Sequence, residues 1–183
     1  AKVVVNDLGG AMDGGDGTGS SRPADNVVTE IKRMGGEATA NYDSVTDGER
    51  IVKTAVDAYG RIDILINNAG IMYIGMTEAY SVAQAQEQME TNYYGAIRAI
   101  QAVLPAMRAA GSGLIINTSS IAGRVSVPFF GTYCATKHAL EAYSQSLRYE
   151  VAPFGVDVAL IEPGPFPSNL LAAGKPHVHE DVL

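Results

Sequence analysis

Cysteine is almost missing from this sequence: Cys134 is the only one, so no disulfide can close within the chain. No cluster of Cys and His has metal-ligand spacing, and no metal is expected. Basic runs are missing as well. Lys and Arg number 13 against 20 Asp and Glu, giving a formal net charge of −7 that repels a polyanion such as nucleic acid on average. No apolar run is long enough to span a bilayer, and Ala1–Gly10 lacks the basic-then-apolar layout of a signal peptide. These absences point to a reducing, cytoplasmic setting with no nucleic-acid or membrane partner.

What is present has the balance of a folded domain. Apolar residues make up 46% and charged ones 18% of 183 residues, enough for one sizeable α/β domain and too few for two. Lys2–Asn6 is a short β-branched run, predicted as a buried strand ending at Asp7. Gly9–Ser21, rich in Gly, Asp and Ser, predicts a loop. The following helix has Pro23 in its first turn, an apolar stripe of Val27, Val28, Ile31 and Met34, and a stop at Gly35-Gly36.

Glu37–Asp43 is read as a second strand. Thr46 or Asp47 caps a helix with Ile51, Val52, Ala55 and Val56 on its inner face, ending near Gly60. Arg61–Asn67 is a strand apolar on both faces, and Val82–Ala110 one long helix. Strand Leu114–Asn117, helix Tyr133–Val151 and strand Val156–Ile161 complete the alternation. Such alternation implies parallel pairing with right-handed crossovers, hence one doubly wound, three-layer α/β/α domain over 1–183.

In such sheets ligands bind beyond the carboxyl ends of the strands. Asp7, Asp43, Asn67-Asn68, Ser119-Ser120 and Pro163-Gly164 all fall there. A carboxylate at Asp7 can accept bonds from both hydroxyls of an adenosine ribose and would repel a 2′-phosphate, and Leu8 offers no compensating cation. NAD is therefore expected over NADP, although Asn6-Asp7 also suits a plain turn. In Asn67-Asn68-Ala69-Gly70, small residues allow close backbone approach to a ligand, and the Asn side chains can tie strands together. An ordinary strand-to-helix turn would look the same.

Tyr133 and Lys137 are four apart on one helix face. An ammonium beside a phenol favours the phenolate and oxidised nicotinamide adds more positive charge, so both are expected to pull the tyrosine's pKa from about 10 toward neutrality, where it can act as general acid or base. Surface helices produce such pairs by chance. Ser120 strengthens this one, because its hydroxyl can hold a substrate oxygen beside the phenol after the intervening loop folds back. Alone, it would be read as a turn cap.

Asp7, Asn67-Asn68-Ala69-Gly70, Met89-x-x-Asn92-x-x-Gly95, Ser120, Tyr133-x-x-x-Lys137 and Pro163-Gly164 together resemble, in order and spacing, the short-chain dehydrogenase/reductase family. The resemblance covers essentially the whole chain. It implies an NAD(P)-dependent oxidoreductase acting on a small alcohol or ketone, with Tyr133 as acid/base and Lys137 lowering its pKa and binding the nicotinamide ribose. It further implies that Ser120 orients the substrate oxygen and that Asn92 shapes its helix so that a water links Lys137 to solvent. Asp43 and Ser44 match the adenine site, and Ser168 matches a hydroxyl near the nicotinamide amide. A homodimer or homotetramer is implied by the long helices.

Val3–Gly10 and Ala40–Val45 are similar to the 3-hydroxyacyl-CoA dehydrogenase part of peroxisomal multifunctional enzymes. Ile121–Arg124 and Glu162–Phe166 are more similar to members acting on lipids, retinoids or steroids. No substrate follows from the two. The family's opening strand and Gly-x-x-x-Gly-x-Gly pyrophosphate turn have no counterpart, and neither does its last strand. The expectation is a domain partial at both ends, with an apolar sheet face exposed. A dinucleotide-binding regulator of the same fold without turnover is the alternative.

Several residues are ambiguous. Cys134 and His138 are expected to be structural, and His177 and His179 to lie in a mobile segment. Met72, Tyr73, Met76, Phe129, Phe130 and Phe166 suit a substrate pocket and ordinary packing equally.

Overall fold

The computed structural model describes residues 1–9, 23–165, 170 and 175–176. The β-branched run forms β1 (Lys2–Asn6), which pairs in parallel with β2 (Glu37–Asn41), Lys2 opposite Glu37 and Asn6 opposite Asn41. Helix α1 (Pro23–Arg33) connects them and buries Ala24 and Val28. Asp47 caps α2 (Gly48–Tyr59) by accepting from the Arg50 N–H at 3.3 Å, and Gly60 ends it at φ 81°. Only a residue without Cβ takes that left-handed turn cheaply.

Strand β3 (Ile64–Asn67) is followed by the two-residue β4 (Tyr73–Ile74), and Ser81 opens α3 (Val82–Met89) with a reciprocal capping box to Gln84. A π-turn over Glu90–Tyr94 leads into α4 (Gly95–Ala110). Then come β5 (Gly113–Thr118), a short 3-10 turn Ile121–Gly123, α5 (Gly131–Val151), β6 (Val156–Ile161) and β7 (Lys175–Pro176), which pairs with β4. β5 lies between β3 and β6, all parallel, as the alternation predicted.

One face of that three-stranded sheet carries the main core. Ile115, Val156 and Val158 pack there against Ile100, Val103 and Met107 of α4 and Leu147 and Val151 of α5. The opposite face is bare among the described residues: Ile64, Ile66 and Ile161 are 54%, 60% and 49% exposed. Among the described residues no ladder joins β1 to β3, so the parallel strands form three sheets, β1–β2, β3–β5–β6 and the short β4–β7 pair, rather than one continuous sheet. Helices α2 and α4 bridge the halves, with Gly48 so close to α4 that an added Cβ would sit 2.6 Å from the Ala99 nitrogen.

Several boundaries differ from the sequence reading, those of β5 and α5 by only one or two residues. The helix expected across Val82–Ala110 is interrupted by the π-turn, for a reason given below. Strand β2 stops at Asn41 because the Asn41 side chain turns to bond Asp43, and β3 starts only at Ile64. Positions 10–22, most of the loop read as Gly9–Ser21, lie outside the described residues.

Candidate active site

Tyr133, Lys137 and Glu141 recur every four residues on α5 and are all buried, at 6%, 4% and 4% exposure. The Lys137 Nζ donates to the Thr118 carbonyl at 2.8 Å, at the end of β5, and lies 5.7 Å from the centre of the Tyr133 ring. Two residues beyond Thr118, Ser120 turns the chain: its hydroxyl accepts from the Ala122 N–H at 3.1 Å and also bonds toward the Tyr133 phenol. Ser120 thus meets Tyr133 and Lys137 of α5, because α5 packs on the sheet with its first turns beside the carboxyl end of β5.

The electrostatics correct one expectation. The lysine was expected to pull the Tyr133 phenol toward neutrality, yet the chain by itself holds the phenol above its ordinary value. Burial is the largest cause, the Ser120 hydrogen bond opposes it, and the neighbouring Cys134 adds to the rise. The same burial pushes the Lys137 amine down to about 8. The amine still carries its charge at pH 7 and loses it only as pH rises through about 8, so within this chain the burial of the phenol outweighs its neighbour's charge.

Asn92 explains the broken helix. Its Oδ1 accepts from the Ile71 N–H at 2.8 Å, and its Nδ2 donates to the Ile71 carbonyl at 2.9 Å and to Thr136 Oγ1 at 3.0 Å. The side chain is 2% exposed. Reaching Ile71 requires the backbone to widen locally, and the Gly95 N–H accordingly bonds back to the Glu90 carbonyl, five residues earlier. Thr136 in turn donates to the Tyr133 carbonyl at 2.8 Å, so Asn92 is linked to the helix turn carrying the phenol.

The remaining sites named from sequence sit at strand ends as expected, with side chains that are partly committed. Asp7 accepts from the Gly9 N–H at 2.8 Å, and the adjacent Leu8 is exposed. Asp43 accepts from Asn41 at 2.8 Å and faces Arg50 at 3.7 Å. Ser44 accepts from both the backbone and the hydroxyl of Thr46, a local turn. Asn67 donates to Asn117 at 2.8 Å, and Asn117 to Ser144, so this asparagine does tie neighbouring strands. Ala69 is exposed.

An added Cβ at Gly70 would lie 3.4 Å from Asn92 Oδ1 and 3.8 Å from Lys137 Nζ, so this backbone borders both side chains. The Pro163 carbonyl accepts from the Ile121 N–H at 3.0 Å, while nothing lies within 4 Å of an added Cβ at Gly164. Ser168 is outside the described residues, as are Phe166, His177 and His179.

Met72 and Tyr73 are buried, and Met72 packs with Ala122, Cys134 and Tyr133, flanked by Ile74, Phe130 and Leu170. Met76 and Phe129 are half exposed, and Phe129 holds φ at 70°, a left-handed conformation costly for an aromatic residue. Cys134 is buried, and a His138 ring nitrogen meets the Cys134 carbonyl at 2.9 Å. No group of three or more His, Cys, Asp and Glu among the described residues could hold a metal, and no described helix is long and apolar enough to cross a membrane.

Sequence reasoning missed Gln88 and Thr136. Gln88 is fully buried, accepting from the Tyr73 N–H at 3.3 Å and donating to Thr132 at 2.5 Å. Its spacing of four from Asn92 put both polar side chains on the helix's inward face, a signal available from sequence.

The family model described as short chain dehydrogenase matches residues 18–178. An uncharacterized oxidoreductase, YusZ, of Bacillus subtilis is 45% identical over 128 residues, 69% of this chain and 46% of that protein. The peroxisomal hydratase-dehydrogenase-epimerase of Saccharomyces cerevisiae is 42% identical over 168 residues, 89% of this chain but 18% of that protein. The chain thus spans about half or less of these curated relatives. Among solved structures, a short-chain dehydrogenase from Streptomyces avermitilis superposes with a TM-score of 0.77 at 34% identity, covering 96% of this chain and 70% of that one. A gluconate 5-dehydrogenase from Burkholderia cenocepacia, in complex with NADP and tartrate, gives 0.80 at 25% identity over 94% of this chain and 65% of that one.

Proposed function

The chain belongs to the short-chain dehydrogenase/reductase family, and from that premise we propose that it transfers hydride between NAD and a secondary alcohol or ketone, with Tyr133 as the acid/base. The observation that carries this reading is the convergence of Ser120, Tyr133 and Lys137 at the carboxyl end of β5, beside Gly70.

The residues present fit a nicotinamide dinucleotide at several of its parts. Gly70 and Gly164 leave backbone open to a close ligand, and Asp7 and Asp43 place carboxylates at the ends of adjacent strands. Asp7 would hold the adenosine ribose, Asp43 and Ser44 the adenine, and Asn67, Ala69 and Gly70 would border the cofactor from β3. Lys137 would bond the nicotinamide ribose, and Pro163, Gly164 and Ser168 would flank the nicotinamide amide. Asp7 followed by Leu8 supports NAD over NADP, because a 2′-phosphate would meet a carboxylate with no adjacent cation.

When bound, oxidised nicotinamide supplies the hydride acceptor and a positive charge near the phenol. That charge opposes the burial that otherwise keeps Tyr133 protonated. Ser120 then holds the substrate oxygen against Tyr133, which takes the alcohol proton in oxidation and returns it in reduction. Lys137, titrating near pH 8, can replenish that proton from its buried position. Asn92, in the π-turn and bonded to Thr136 beside Lys137, would let a water link Lys137 to solvent.

One observation favours the alternative, a dinucleotide-binding regulator: the phenol sits above its ordinary value. NADH production by the whole polypeptide against secondary alcohols and 3-hydroxyacyl thioesters decides between them. Turnover abolished by Tyr133→Phe is the expected result. Tight NAD binding with no turnover of any substrate would establish the regulator.

The reading extends to assembly and place. A homodimer or homotetramer is the expected state, to be measured by light scattering. The free, buried Cys134 supports a reducing compartment, the cytoplasm, although several relatives are named as peroxisomal. Imaging of the tagged polypeptide separates the two.

A further inference from the structure

Arg124 immediately follows the 3-10 turn that Ser120 begins, and one guanidinium nitrogen serves two carboxylates. Its Nη2 lies 2.7 Å from Glu162 Oε1 and 3.4 Å from Glu141 Oε2. Glu162 is the first residue after β6 and directly precedes Pro163-Gly164. Glu141 lies on α5 one turn beyond Lys137, and its side chain is only 5% exposed. Three elements of the candidate site therefore meet at one arginine.

The backbone joins two of the same elements. The Ser119 N–H donates to the Ile161 carbonyl at 2.7 Å, and the Ile121 N–H donates to the Pro163 carbonyl at 3.0 Å. These two bonds bracket Ser120 and align its turn with the Pro163-Gly164 segment, but neither reaches α5. Arg124 does, through Glu141. Packing there is tight: an added Cβ at Gly123 would sit 2.7 Å from Ser119 Oγ, 3.0 Å from Glu141 Cγ and 3.2 Å from the Lys137 carbonyl.

We propose that Arg124 is a positioning residue that fixes the Ser120 turn and the Pro163-Gly164 segment to the helix carrying Tyr133 and Lys137. The proposal rests on the reading of Ser120 and Tyr133 as the reacting pair. A surface ion pair alone has small effects. This one differs because Glu141 is a buried carboxylate, and losing the arginine leaves it only the Gln145 amide, which donates to the same Oε2 at a long 3.5 Å. Glu162, held below the usual carboxylate range mainly by its hydrogen bond to Arg124, remains ionised as the second leg.

The test compares the whole polypeptide with Arg124→Met and Arg124→Lys, first by amide hydrogen exchange without ligand. The expected result is faster exchange at Ile121 and Ser119 in Arg124→Met, with Ile115 in the core unchanged and partial recovery in Arg124→Lys. Turnover of the alcohol identified in the panel above should fall about 10- to 100-fold in kcat per folded molecule, with its KM little changed. Unchanged exchange at Ile121 with unchanged kcat would overturn the proposal. So would a loss of melting temperature with kcat per folded molecule intact, since that marks structure alone.

If Arg124→Met does not fold, Glu162→Gln removes one leg of the clamp and should shift exchange at Ile121 in the same direction. If Tyr133→Phe retains turnover, the reacting-pair reading fails on its own, while the exchange result still decides whether Arg124 holds the turn.

Discussion

Asn92 holds both backbone groups of one residue: it accepts from the Ile71 N–H at 2.8 Å and donates to the Ile71 carbonyl at 2.9 Å. One buried amide therefore replaces the strand partner that the backbone at Ile71 would otherwise need, directly after Gly70. The site wall and the broken helix are fixed by the same two bonds.

Replacing Asn92 with Ala leaves the N–H and carbonyl of Ile71 and the hydroxyl of Thr136 short of a partner. The expected cost is about 2–4 kcal/mol in urea unfolding. Turnover should fall even under conditions where the variant is fully folded. Wild-type stability in this variant would mean that water or helix repacking satisfies Ile71 instead.

Lys137 illustrates a conflict between stability and activity. Its amine has an ordinary value of 10.5 and about 8 in the folded chain, because burial disfavours the charge. The unfolded chain therefore holds the proton more readily. The cost to folding is full below pH 8 and fades as pH rises through 10.5. Lys137→Met should stabilise the fold by about 2 kcal/mol at pH 7, after allowing for the lost bond to the Thr118 carbonyl. That advantage should shrink steadily between pH 8 and 10.5, and turnover should be lost throughout.

Ser120→Ala removes the one hydrogen bond that lowers the Tyr133 phenol. The phenol then moves further up, and the pH at which alcohol oxidation reaches its plateau should rise. A loss of about 10²-fold in kcat should accompany it. Thermal melting should change little, because only the backbone of a short turn loses its cap. A profile that stays in place would show that the serine acts on the substrate alone.

Gly70 separates cofactor binding from folding. A Cβ there meets nothing closer than 3.4 Å, so Gly70→Ala should alter stability by less than about 1 kcal/mol. NAD affinity, read by calorimetry, should drop markedly if the nicotinamide half lies against this backbone. Unaltered affinity would place the cofactor elsewhere.

The fold was legible wherever one period dominated. Runs such as Val3-Val4-Val5 and Ile64-Leu65-Ile66 marked strands, and the four-residue spacing of Tyr133 and Lys137 marked one helix face. What sequence could not supply was competition between polar side chains and backbone. A 3.6-residue pattern ran unbroken through Glu90–Tyr94, and nothing local announced that Asn92 would bond Ile71, 21 residues earlier. The Tyr133 electrostatics failed for a related reason. Spacing shows that an amine neighbours a phenol, but only burial reveals that both are desolvated, which reverses the direction of the shift. Arg124 was visible in the sequence, yet its partners lie 17 and 38 residues away, Glu141 on α5 and Glu162 just past β6.

The uncovered isoleucines on β3 and β6 bear on how this 183-residue polypeptide behaves as a colloid. Among the described residues Ile64, Ile66 and Ile161 offer a greasy plane on one side of the sheet, and the deterrent to stacking such planes is the net charge of −7. Salt thins that deterrent by screening, and acid removes it by titrating the carboxylates. Turbidity should therefore rise with ionic strength and rise again as pH is lowered toward the point of zero charge, even while the core around Ile115 stays folded.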